Sequence, residues 1–551
     1  VASPPDTAAP ALDAPRVRPT ASPARLRALL VLLCTPLGLV IAANSSLALA
    51  LPSVGADLRA DQSALTWAVD AYSLFFAALL LPAGIAADRF GQRTLLVCGL
   101  LVFGAGNLAS AFATSVEALI VLRAVSGIGA AAVFPVTLSA LVSSFPPERR
   151  GFAIAVWSGV SAGGSVVGLL AAGALLEAFW WGSVQVLFGA AALLLVPGVL
   201  ALVGQHRDPH LSLDLPGALL AVVALSGVVF AVLEAPLHGW TSVRVLLPLA
   251  LGLAGAAGFV LRELRTPEPA LDVRLFRSRG LAVGSLLVVA QFFTALGLFT
   301  LLPQYLQIVP GYSALQAALV LLALSVGAGA GSAVMGARGA GWGSRGPAAV
   351  GLLLMATGFF GLATAAGTGR LWHVVLALVV FGAGFGASMI PGTSLILEGL
   401  PPERRSVASA VNDITREVGG VLGIAVMSSV LVATYREDLL PALVAVPAPL
   451  AEVALGGAGP AQAVAQALGP AGEALRLAAA DAFAAGFADA FVLASGVLAV
   501  AALACGALAP SRRRPGRHVR ERTRGRPRSS SHPLSTRPTR TPRPRAPDPA
   551  G

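Results

Sequence analysis

The chain states one passage twice. Residues 146 to 168 read PPERRGFAIAVWSGVSAGGSVVG and residues 401 to 423 read PPERRSVASAVNDITREVGGVLG. Pro146, Glu148, Arg149, Arg150, Gly164 and Gly168 thus recur 255 positions later as Pro401, Glu403, Arg404, Arg405, Gly419 and Gly423. The Gly127 and Gly129 of the preceding apolar stretch are answered at the same offset by Gly382 and Gly384. A chain that repeats itself this way folds as two related halves. When the repeats are membrane spans, the halves can rock about a site held between them.

That the stretches are spans follows from composition: 56% of residues are hydrophobic and 12% charged, against roughly 25% charged in a soluble domain. Charge-free apolar runs such as Ala28 to Leu51 and Ala490 to Leu508 are long enough to cross a hydrocarbon core of about 30 Å as helices. About fourteen such spans are expected, the first near 28–51 and the last near 483–508. The expected fold is an all-α polytopic membrane protein of two six-helix bundles with two extra central helices. An offset of 255 is too long for six spans per half, so spans seven and eight, near 214–236 and 244–262, read as an inserted pair. The expected organisation is a cytoplasmic N-terminal tail 1–27, a first bundle 28–203, the inserted pair with its loops 204–280, a second bundle 281–508 carrying an external loop 435–482, and an Arg/Pro-rich tail 509–551.

The chain has no lysine, and its 38 basic residues are all arginine. With the N-terminus inside, 31 fall on the cytoplasmic side, 5 outside and 2 within spans. That bias predicts a cytoplasmic-membrane protein with both termini in the cytoplasm. The net charge of +11 comes from the C-terminal tail, where residues 511–551 hold 13 arginines against Glu521 and Asp548. Such a Pro- and Ser-rich run builds no core. It suits contact with anionic inner-leaflet lipids, although a solvated topogenic tail is the plainer reading. The three cysteines all fall inside expected spans and form no disulfide framework, and the first span reads as a retained helix with no cleavage pattern before it.

Several chemistries lack their residues. Without lysine there is no Walker A loop. The six histidines share no helical face and suggest no metal site, no cofactor motif is present, and nothing indicates a nucleic-acid partner or an enzyme. Gly159-Val160-Ser161-Ala162-Gly163 formally matches GxSxG. It lies inside an apolar span, not on a strand-turn-helix elbow, and is read as serving helix packing.

The loop after span two reads Gly84-Ile-Ala-Ala-Asp88-Arg89-Phe-Gly91-Gln-Arg93. Gly84 is expected to let two helices approach, Gly91 to permit a tight turn, and Asp88 to make and break charge-assisted bonds beside Arg89 and Arg93. Here the chain resembles the major facilitator superfamily, whose signature between the second and third spans is GxLADRxGRK and whose loop is a gate element. From about residue 30 to 508 it is similar to the 14-span drug:proton antiporter branch, through Leu49-Ala50-Leu51-Pro52, Trp67 and Tyr72, Arg123 with Gly127 and Gly129, Asp214 with Gly217, Leu275-Phe276, and Arg416 with Gly419, Gly420 and Gly423. It departs from that branch at Ala43, where an acid is usual, and at Gly168 to Gly173, which lacks the proline of GPxxGG.

With the ordinary acid absent, Asp70 is the candidate proton carrier. Counted from the outer ends of spans two and four, Asp70 and Arg123 lie at the same depth, roughly 9 to 11 Å in, and Asn44 reaches that layer. Ionisable groups inside spans pair or face a wet cavity. The reading is that Asp70 takes up a proton from outside and Arg123 loosens. A permanent structural pair, or an Asp70 that snorkels outward, stays open. Asn44, Trp67, Tyr72, Gln291 and Asp489 are candidates to line the cavity, with a lateral cleft or neighbouring helix as the alternative for the last two. Asn412, Asp413, Arg416 and Glu417 cluster in span thirteen, with Asp413 and Asn412 within reach of Arg416 and a gating role at the cytoplasmic rim favoured over substrate contact.

Together with the resemblance, these residues predict a monomeric, proton-coupled antiporter that exports small hydrophobic or amphiphilic compounds, giving drug or antibiotic resistance by alternating access. A proton-coupled uptake or lipid-moving transporter of the same superfamily is the alternative. A non-transporting membrane enzyme or receptor is more remote. Loop 435–482 reads as a tolerated insertion.

Overall fold

A computed structural model describes residues 23–205, 214–266, 273–338, 345–398, 405–444 and 446–508, with the backbone alone for some of them, Asp88 and Arg405 included. The C-terminal tail and Pro401 to Arg404 of the second repeat lie outside the described residues, as does the N-terminal tail up to residue 22.

Sixteen α-helices form the described structure: α1 (Pro23–Leu58), α2 (Gln62–Phe90), α3 (Gln92–Ser110), α4 (Val116–Ser144), α5 (Pro147–Ala178), α6 (Gly182–Leu202), α7 (Leu215–His238), α8 (Val243–Arg265), α9 (Arg279–Ile308), α10 (Ala314–Arg338), α11 (Arg345–Ala366), α12 (Leu371–Glu398), α13 (Arg405–Leu439), α14 (Ala448–Ala454), α15 (Ala458–Ala467) and α16 (Glu473–Leu508). Thirteen are long and apolar enough to cross a membrane, and α5, bent by 42° between Ser161 and Gly163, makes a fourteenth span. Their ends are written in the sequence. Asp61 begins α2 by accepting the Ala64 N–H at 2.7 Å, Ser115 begins α4 by accepting that of Ala118 at 3.2 Å, and Asp214 begins α7 through Gly217 at 2.9 Å. Each satisfies an N–H that the first helical turn leaves free.

The repeated glycines show how the two halves correspond. A Cβ on Gly127 of α4 would lie 2.3 Å from the Tyr72 carbonyl of α2, and one on Gly382 of α12 would lie 2.1 Å from the Leu324 carbonyl of α10. A Cβ on Gly129 would likewise run into the Phe103 backbone of α3, and one on Gly384 into the Gly351 carbonyl of α11. Gly168 seats α5 on Ala42 of α1, as Gly423 seats α13 on Phe293 of α9. Three seams are thus built twice by the same device, backbone against backbone where only hydrogen fits. Helices α1 to α6 form one bundle and α9 to α13 with α16 the other. The pair α7–α8 packs on itself through Gly227 and Gly252, and α7 leans on α2 and α13.

With fourteen crossings, Pro23 and Leu508 lie at one end of the bundle, the terminal end. At the opposite, distal end the stretch 435–482 departs from its expectation as a loop. Helix α13 runs on to Leu439, α16 already begins at Glu473, and α14 and α15 lie between them. This segment is fastened: Tyr435 Oη donates to the Ala454 carbonyl at 2.9 Å, and the Gly456 carbonyl accepts the Gln62 N–H at the start of α2 at 2.7 Å. It therefore ties the second half to the first.

Candidate functional site

Between the halves lies a cavity of about 500 Å³, walled by α1, α2, α4 and α5 on one side and α9, α10, α12 and α13 on the other. Its size is that of a drug-sized ligand site. Hydrogen bonds joining the halves gather at the distal end, where Gln307 Nε2 donates to the Leu49 carbonyl at 3.0 Å and the Leu315 N–H to Glu177 at 3.4 Å.

The first-half wall is aromatic. Tyr72 stacks near Phe76, Phe76 meets Phe134 edge-on at 5.6 Å, and Phe134 meets Trp157 edge-on at 5.6 Å. Tyr72 is held by donating its hydroxyl to the Val40 carbonyl at 2.9 Å, and Asn44 accepts from Ser73 Oγ at 3.2 Å. On the opposite wall Phe292 packs against Phe385 at 5.7 Å, with Phe299 and Met389 beside them. The charged groups of that wall are Asp413, Arg416 and Glu417, with the hydroxyls of Thr300, Ser325 and Ser332 beside them. Arg416 stands 4.5 Å from the Phe292 ring centroid and 4.0 Å from Asp413. Such a wall offers apolar area with two carboxylates and one guanidinium, suited to flat or amphiphilic molecules, cationic ones included.

Placing the expected site residues on this geometry changes several of them. Of the span-thirteen cluster, Asp413, Arg416 and Glu417 line the cavity between the halves. Asn412 turns to Asp413 at 3.4 Å and to Thr393 at 3.5 Å, not to Arg416. Asp70 and Arg123 share a depth but make no pair. Arg123, fully buried, lies 4.4 Å over the Tyr72 ring and donates from Nε to the Ala68 carbonyl at 3.2 Å. Asp70 is equally buried, and among the described residues neither carboxylate oxygen has a hydrogen-bond partner. Of the cavity candidates, Asn44 and Tyr72 line it. Trp67 instead meets Phe230 of α7 at 5.9 Å, Gln291 donates to Ser388 at 2.5 Å inside the second bundle, and Asp489 is exposed and accepts from Thr434 at 2.9 Å. The aromatic residues Phe134, Phe292, Phe299 and Phe385 were not legible as a site, because apolar residues in an apolar span carry no mark of which face meets a void.

In the loop between α2 and α3, Gly91 has φ +103° and makes the turn. Gln205, following α6, clamps it by donating to the Phe90 carbonyl at 3.0 Å and to Thr94 at 2.9 Å. Gly84 departs from expectation: its nearest neighbour, Pro135, would be 3.9 Å from a Cβ, so no close approach depends on it. Arg89 lies 5.5 Å from the Phe90 ring, Arg93 sits in the first turn of α3, and the Asp88 side chain lies outside the described residues. Gly159 and Gly163 likewise do not serve packing, since a Cβ on either meets nothing within 4 Å.

A sequence profile of the Major Facilitator Superfamily matches residues 34–424. The chain is 32% identical over 415 residues to the tetracenomycin C resistance and export protein of Streptomyces glaucescens, covering 74% of this chain and 77% of that one. It is 33% identical over 426 residues to the multidrug efflux pump LfrA of Mycolicibacterium smegmatis, covering 76% and 84%. Among solved structures, a bacterial homologue of the human lysosomal transporter Spinster, inward-facing and unoccupied, superposes with a TM-score of 0.64 at 16% identity over 89% of this chain and 99% of that one. Likeness of this degree over this share of the sequence, on a fold of two related halves, makes the chain a member of the Major Facilitator Superfamily, a multi-pass membrane transporter of small molecules.

Proposed function

We propose that this protein is a proton-coupled antiporter that exports small hydrophobic or amphiphilic compounds, drugs and antibiotics among them, across the cytoplasmic membrane. The cavity between the halves carries the reading: it is about 500 Å³, aromatic on both sides, and polar chiefly at Asn44 and the Asp413, Arg416 and Glu417 face. The relatives are named for resistance, export and efflux, and this supports the direction. In this reading the terminal end faces the cytoplasm, so both termini are cytoplasmic, and the cavity takes up its cargo from that side while the distal contacts are closed.

Coupling needs carboxylates that both cargo and protons can reach. Asp413 and Glu417 are placed to meet a cationic or polar part of the cargo, and Asp70 is assigned the proton taken up from outside. A buried carboxylate without a partner is expensive to keep inside a span, so its retention between α2 and its neighbours points to use. Arg123 then acts as a positioning residue through Tyr72. The protein works as a monomer, and loop residues 84 to 93 gate the cytoplasmic side.

Efflux of a fluorescent dye and of antibiotics from energised cells tests this, comparing wild type with Asp70→Asn, with and without an uncoupler. Wild-type efflux is expected to vanish with the gradient and to fall at least about tenfold in Asp70→Asn. Gradient-dependent efflux that ignores the substitution would remove Asp70 from the mechanism, and gradient-dependent accumulation would reverse the direction.

A further inference from the structure

A second cavity, of about 240 Å³, lies outside the transport cavity, between α2 and α13 on one side and the α7–α8 pair on the other. Small residues make the room: Ala77 and Ala78 of α2, Ala221 and Ala224 of α7, and Ala256 of α8 line it. Val260, 42% exposed, stands on its rim, so the space opens sideways where the protein meets membrane.

Its two ends differ. At the terminal end stand Asp214, which begins α7, and buried Glu263, near the end of α8. Arg262 pairs with Asp214 at 2.7 Å, leaving Asp214 Oδ2 without a hydrogen bond. Arg265 is exposed on the same last turn, and Arg274 reaches back to the Leu264 carbonyl at 2.7 Å. From that ionic end the lining runs only through apolar side chains to Leu225. Eleven residues of helix from Asp214 to Leu225 rise about 16 Å, close to half of a 30 Å hydrocarbon core. The cavity therefore runs through about one leaflet, a long and narrow space suited to one hydrocarbon chain and not to fused rings.

We propose that this cavity is a binding site for one acyl chain of a phospholipid with a zwitterionic ammonium–phosphate head group, drawn sideways from the leaflet at the terminal end. The Asp214 Oδ2, buried and without a hydrogen-bond partner among the described residues, accepts from the ammonium, and the arginines at the end of α8 face the phosphate. The bound chain fills the seam where α2 of the first half and α13 of the second share a wall with the transport cavity: Ile414 and Val418 face the lipid while Asp413 and Glu417 face the cargo.

Native mass spectrometry of the purified full chain, with phosphatidylethanolamine or phosphatidylglycerol added in equal amounts, tests the site. Wild type is expected to retain one phosphatidylethanolamine at least about fivefold better than phosphatidylglycerol. Ala221→Phe, which fills the cavity, is expected to lose that preference. Should Ala221→Phe fail to fold, phosphatidylethanolamine carrying a diazirine on its chain is crosslinked to wild type, with labelling expected on peptides spanning 218–225 and 256–263. Equal retention of the two lipids, unchanged retention in folded Ala221→Phe, or labelling spread evenly over the membrane-facing helices would overturn the assignment. None of these readouts depends on the direction or coupling of transport.

Discussion

Each half of the protein lays an arginine over an aromatic ring, Arg123 over Tyr72 at 4.4 Å and Arg416 over Phe292 at 4.5 Å. Their surroundings are opposite. Arg123 has no exposed surface, a backbone carbonyl for its Nε, and no carboxylate paired with it. Arg416 is about a quarter exposed to the cavity and stands beside Asp413 and Glu417. A desolvated cation–π contact is worth up to about 2 kcal/mol and an exposed one about 0.5 to 1 kcal/mol. The first arrangement therefore fastens α4 to α2, whereas the second leaves a cation free to exchange partners. The same pair of groups is thus built as a buried fastener in a helix seam and as an exposed, exchangeable charge in a cavity wall.

The largest effect expected from this contrast is at Arg416. Arg416→Ala leaves two carboxylates side by side on the cavity wall with no cation between them, and like charges brought together this way resist being ionised together. Efflux per molecule of protein in the membrane is expected to drop to background, with the thermal midpoint of the purified protein little changed. A midpoint that falls as far as activity does would show that Arg416 is a fastener like Arg123, and the contrast would be lost.

Much of this was legible in the sequence. Span ends, the doubled halves and the glycine seams follow from hydropathy, caps and the repeat. Level along the helix was legible too, since Arg123 meets Ala68 and Tyr72, the residues that flank Asp70 on α2. Which way they point was not. Residues two apart on a helix differ by about 200° in direction, so an arginine at the level of Asp70 meets the ring of Tyr72 as readily as the carboxylate. In spans that are apolar all round, no stripe of polar residues indicates the face. Asp413, Arg416 and Glu417 did form a legible polar stripe on α13, but a stripe does not say what it faces, and α14 and α15 were hidden by a composition of Ala, Gly and Pro that reads as loop.

The glycine seams sharpen the comparison from the other side, because there the halves are alike. Gly168→Ala would set a Cβ 2.5 Å from the Ala42 carbonyl, and Gly423→Ala one 1.9 Å from the Phe293 carbonyl. Backbone cannot give way as a flexible side chain does, so each is expected to cost about 3 kcal/mol, at the upper end of overpacking penalties. Gly163→Ala, with nothing within 4 Å, is the matched control and is expected to change stability by less than about 0.5 kcal/mol. Unfolding of the purified variants would show it. A loss confined to one of the two seams would mean that the halves differ in construction and not only in their polar groups.

The smallest effects are at Tyr72, where the structural account of Arg123 is most exposed to test. Tyr72→Leu removes both the ring beneath the guanidinium and the hydroxyl bond to Val40, which predicts a loss of about 2 to 3 kcal/mol from the two contributions. Tyr72→Phe keeps the ring and loses only the hydroxyl bond, predicting about 1 kcal/mol. Because Tyr72 also lines the cavity, stability and efflux have to be read separately. If Tyr72→Leu melts like wild type yet no longer exports, the ring serves cargo and Arg123 is held by something else. If Tyr72→Leu loses stability while the residual folded protein exports at the normal rate, the ring is a fastener, and the coupling groups of the first half reduce to Asp70.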